Sequence, residues 1–196
     1  MTEQPCKTIA FTVLSITFFL LFASESKLTA NDASQWSAGV AKIAITPKDT
    51  MWMAGYAARN KPAEGSVQDL YAKAVVLKDG QQNTFVLVTL DLISVPYPIR
   101  DFAEAAMQEN YDLPPSALMI NCSHTHCGRE IRTNRWSFDG IPAERLSAAI
   151  KYVDSLNAYI LSVIDQAMVT CAPSKVSFCR SRCGFAMNRR RTSTEG

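Results

Sequence analysis

The stretch Thr84–Ile93, TFVLVTLDLI, decides the fold. It is a nearly unbroken run of β-branched and apolar side chains, the signature of a central strand covered on both faces. Just upstream, Tyr71–Lys78 (YAKAVVLK) is a second strand, and Asp79-Gly80 between the two is a turn signal, so the pair reads as a hairpin. Downstream, residues Ile99–Asn110 form an amphipathic helix beginning just after Pro98, and Ala117–Cys122 (ALMINC) is a further strand, buried by its composition.

Working outward, Ser37–Pro47 (SAGVAKIAITP) alternates apolar and other residues until Thr46-Pro47 stops it, as a first strand would. Lys48–Gly65 has little periodicity and reads as a long loop carrying Trp52, Met53, Tyr56 and Arg59. The longest helical stretch is Pro142–Val169, with Leu146, Ile150, Val153, Leu156, Ile160 and Val163-Ile164 on one stripe. A last strand is expected to start in Lys175–Cys179. The expected fold is α/β, a mixed β-sheet covered by helices. Phe185–Arg191 runs into a polar end with no closing element, so the domain is expected to be incomplete.

The composition, 47% hydrophobic and 19% charged, is that of a globular chain. A net charge of +2 gives no reason to expect nucleic acid as a partner, and the basic end (Arg180, Arg182, Arg189 to Arg191) lacks the interleaved aromatics that would sharpen that idea. Thr8–Ala23 is an apolar run preceded by Lys7 and followed by small or polar residues. Residues 1–30 therefore read as a signal peptide and the protein as secreted or periplasmic, with an uncleaved anchor as the alternative. Six cysteines are present; Cys6 would leave with the leader, and the odd remainder is not a dense disulfide framework.

The chain has two histidines, both in Asn121-Cys122-Ser123-His124-Thr125-His126-Cys127-Gly128. In an extended backbone, residues two apart project from one face, so His124 and His126 can converge on one point, as zinc ligands do. The alternative is a hydrogen-bonded pair of structural histidines in a non-catalytic exported binding domain. Asp91, at the end of the central strand, is a candidate to receive the N–H of a metal-bound imidazole; otherwise it caps a turn or pairs with a cation. Cys122 and Cys127 flank the histidines and raise a third option, a thiol nucleophile.

These segments, taken in order, resemble the N-terminal part of the neutral and alkaline non-lysosomal ceramidases. AGVAKIAITP resembles the opening strand of that family, MAGYA (Met53 to Ala57) its following loop, and VLVTLDL the strand ending in Asp-Leu. NCSHTHCG resembles its His-Thr-His segment and FAMNRR its asparagine-arginine segment. The resemblance implies that residues 31–196 are the N-terminal portion of a zinc-dependent amide hydrolase acting on ceramide-like lipids. It implies a zinc ligand at His124, a polarising or positioning role for His126, and substrate contacts at Asn188 and Arg189. A lipid-like N-acyl amide substrate and peripheral membrane contact follow from the same likeness. Two departures stand out: Cys127 replaces a serine, and Arg129-Glu130 replaces a glycine-rich continuation. The family takes its remaining ligands (a histidine, a glutamate and a tyrosine) from later in the chain, and no histidine follows His126, so weak activity or none is expected of this polypeptide.

Overall fold

In the computed structural model, strands β2 (Tyr71–Lys78) and β3 (Thr84–Leu90) pair antiparallel, with Ala74 opposite Val88. The hairpin is closed by Asp79, whose Oδ1 accepts the backbone N–H of Gln81 at 2.8 Å and of Asn83 at 2.9 Å. Such side-chain turns are what a short acidic residue supplies at this position. The structure describes residues 35–49, 51–56, 58–132 and 143–185.

After β3 the chain crosses over through helix α1 (Tyr97–Tyr111) and returns as β4 (Leu118–Cys122), parallel to β3. On the other side of β2 lies β1 (Trp36–Ala44), antiparallel, and against β1 lies the short β5 (Ala172–Ser174). The sheet order is β4-β3-β2-β1-β5, so the sheet is mixed, as expected. Helix α2 (Ala143–Val169) joins α1 in covering one face. There Ala74, Val76, Val86 and Val88 meet Ile99 and Met107 of α1 and Leu156, Ile160 and Ile164 of α2 in one core. Full burial of each large aliphatic side chain contributes about 1.5–3 kcal/mol. β1 and α2 approach so closely that a β-carbon at Gly39 would stand 1.9 Å from the Ala167 carbonyl oxygen, and only glycine fits.

The structure departs from the sequence reading in six places. The other face of β3, formed by Phe85, Leu87 and Thr89, is half-buried rather than covered. β4 is an edge strand, not a buried one, and Met119 on its outer face is 54% exposed. Asp91-Leu92-Ile93 leave the sheet as a bend, so β3 ends earlier than its apolar run does. Helix α2 buries Ala149 and Tyr152 where Ile150 was expected, because the Tyr152 hydroxyl donates to the buried Ile45 carbonyl at 2.6 Å and fixes the helix rotation. Lys175–Cys179 forms no strand; pairing happens three residues earlier, where Pro173, lacking an N–H, suits an edge. α1 starts at Tyr97 rather than Ile99, because Pro98 fits inside its first turn.

Candidate functional site

Two loops build the site. The first, between β1 and β2, carries Met53 to Tyr56; the second follows β4 and carries His124 to Arg129. They are stitched by an isolated bridge between Met53 and Arg129, with Ala54 N–H donating to the Gly128 carbonyl at 2.9 Å and Glu130 N–H to the Trp52 carbonyl at 2.9 Å. Arg59 tightens the join: its Nη1 donates to the His126 carbonyl at 2.7 Å and also to the Ala54 carbonyl. Its guanidinium lies 5.0 Å over the Tyr56 ring.

The two imidazoles meet, though not by the extended route expected. His124 adopts a left-handed backbone, φ 56, directly after β4. Its ring still stands with the His126 ring, centroids 5.4 Å apart. Tyr56, also left-handed at φ 45, sets its ring edge-on to His126 at 4.7 Å. Non-glycine residues in this region carry local strain that the surroundings must hold in place, and such strain gathers at functional sites.

His124 Nδ1 lies 2.9 Å from the Ile93 carbonyl oxygen. Facing an acceptor, Nδ1 carries the proton, and Nε2 keeps a free lone pair. Asp91 sits elsewhere: its Oδ2 accepts the backbone N–H of Tyr71 at 3.0 Å. The group that fixes the His124 tautomer is thus a backbone carbonyl three residues after the strand, which no side-chain pattern announces. Asn188 and Arg189 lie outside the described residues. Cys122 points into the core, where burial pushes its thiol up to about 11; such a thiol is not poised as a nucleophile. Cys127 is exposed.

A cleft of about 600 Å³ borders the second loop. Thr125, Cys127 and Arg129 line it, as do Asp91 and Met53, whereas neither histidine does. The imidazoles thus lie apart from the cleft that Thr125 and Cys127 line.

A sequence profile described as neutral/alkaline non-lysosomal ceramidase, N-terminal, matches residues 36–193. The chain belongs to that family. Among solved structures, it is similar to the neutral ceramidase of Pseudomonas aeruginosa, with a TM-score of 0.59 at 22% identity. That likeness covers 72% of this chain and 23% of the other. A structure of a ceramidase complexed with C2 gives a TM-score of 0.55 at 22% identity, covering 71% and 22% of the two chains. This chain therefore spans under a quarter of the length of the ceramidases whose fold it shares. No curated protein sequence matches it.

The family is one of metal-dependent hydrolases. The free Nε2 of His124 suits a zinc ligand, and the 5.4 Å spacing of the two rings sets His126 beside it. Among the described residues, no group of three histidine, cysteine, aspartate or glutamate side chains gathers that could complete a metal site. Also among the described residues, no helix is long and apolar enough to cross a membrane.

Proposed function

We propose that this chain carries the His-x-His corner of a zinc-dependent amide hydrolase that cleaves the N-acyl bond of ceramide-like lipids, and that residues 1–30 export it. The observation that supports this reading most directly is the His124 Nδ1 contact to the Ile93 carbonyl, which prepares Nε2 to ligate. When bound, zinc would polarise the amide carbonyl and supply a water of pKa about 7. The ring of His126, held beside His124 by Tyr56 and by Arg59 on its own carbonyl, would orient the amide group. The remaining ligands would come from outside the described residues.

The competing reading, a non-catalytic exported binding domain with structural histidines, draws on the missing third ligand among the described residues. Zinc content and cobalt absorption of the purified secreted chain separate the two, together with N-terminal sequencing to locate the leader cut. The proposal expects metal binding that His124→Ala abolishes and Asp91→Asn largely spares, and fatty acid release from a fluorescent ceramide that follows metal content. Equal metal uptake by the His124→Ala protein would sink it.

A further inference from the structure

The cleft beside the second loop holds a buried cation that the amide-hydrolase reading does not use. Arg129 is 7% exposed, yet it lines the cleft. Its guanidinium rests 5.0 Å over the Tyr152 ring. Among the described residues, no carboxylate reaches it within ion-pair distance; Asp49 acts on it only from farther off. Burial pushes its pKa down to about 10, the mark of a charge that has lost water without gaining a counter-ion. Placing an unpaired charge at the wall of a cavity is costly, and an anion entering that cavity repays the cost.

The other acidic side chains of the cleft have partners of their own. Asp91 accepts the Tyr71 N–H, Asp69 accepts the Thr46 hydroxyl at 2.8 Å, and Glu64 pairs with Lys61. With Asp49 they set four carboxylates against Lys48 and Arg129 on the cleft wall, a balance that disfavours a dianion such as phosphate more than a single negative charge. Met51, Met53 and Leu70 supply an apolar wall of adaptable shape. We propose that this cleft is a second binding site, in which Arg129 receives the carboxylate of an amphipathic monoanion whose alkyl chain lies along Met51, Met53 and Leu70. A fatty acid released by amide hydrolysis has this chemistry; that link rests on the proposed function, whereas the binding itself does not.

The test is calorimetric titration of the full chain with sodium decanoate in the presence of EDTA, so that the outcome does not depend on any metal. Decanol, decyl phosphate and decyltrimethylammonium are the head-group controls. Decanoate is expected to bind at least about tenfold more tightly than decanol, the worth of one charge-assisted pair, and Arg129→Met to erase that preference. Decanoate should also slow alkylation of Cys127, read by peptide mass spectrometry, without slowing Cys179. This second measurement uses the unmutated protein, so it decides the matter even where Arg129→Met fails to fold. Equal binding of decanoate and decanol, tighter binding of decyl phosphate, or an unchanged Cys127 rate at saturating decanoate would each overturn the proposal.

Discussion

A β-carbon added at Gly55 would stand 2.4 Å from Nδ1 of His126. The imidazole therefore lies flush against the backbone of the first loop, at a residue whose φ of 73 already favours glycine. Gly55→Ala meets both obstacles at once, and the ring or the loop must give way. The expected cost is about 1–3 kcal/mol of stability, with the His126 imidazole resonances displaced in NMR spectra. Spectra that superpose on those of the unmutated protein would show that the loop yields freely.

Arg59 joins the same two loops through carbonyls, at Ala54 and His126, rather than through side chains. Arg59→Met leaves both oxygens without this donor and removes the cation from the Tyr56 ring. Each lost bond is worth about 0.5–1.5 kcal/mol, and the loss should be felt locally. Hydrogen exchange at Ala54 and Glu130, whose N–H groups bridge the loops, should quicken while exchange in β2 and β3 stays slow. Uniform acceleration throughout the sheet would instead mean that Arg59 supports the whole fold.

The hairpin was readable because each segment carries its own signal. YAKAVVLK and TFVLVTL are apolar enough to be strands in isolation, and Asp79 supplies the turn by local hydrogen bonds. The His-x-His pair was readable for the opposite reason, scarcity, since the chain has no other histidine. What escaped the sequence depends on contacts far along the chain. Ile93 serves through a carbonyl that every residue possesses, and Gly55 matters only because His126 comes to lie on it. β5 escaped because a three-residue edge strand containing proline has no periodicity to detect.

The rotation of α2 is a case in which tertiary contact overrode the apparent stripe, and it can be checked. Ile150 is 47% exposed, whereas Leu156 is fully buried against the sheet. Ile150→Glu should change stability by no more than about 0.5 kcal/mol, as surface replacements do. Leu156→Ala should cost about 2–5 kcal/mol through lost burial and the cavity left behind. Urea denaturation of the two variants decides it, and comparable losses would restore the stripe read from sequence.

Burial also sets an alkaline limit on the fold. The Cys122 thiol is pushed from its ordinary value near 9 up to about 11 by desolvation alone. A raised value means that the folded state holds the proton more tightly than the unfolded state does. The thiol's contribution is therefore fully present below pH 9 and is lost as the pH climbs from about 9 to about 11. Tyr111, pushed up to about 12 by burial and by its bond to Asp165, acts in the same direction at higher pH. Arg129 acts oppositely: its value is lowered to about 10, so the cost of burying its charge is relieved above that pH. Tyr152, also pushed up by burial, acts in the same direction as Tyr111. Between about pH 9 and 10 the thiol, whose ordinary value is lower than that of either tyrosine, contributes most of the change, so urea midpoints there should fall more steeply for the unmutated protein than for Cys122→Ala. A parallel fall in both proteins would assign the alkaline limb to groups other than this thiol.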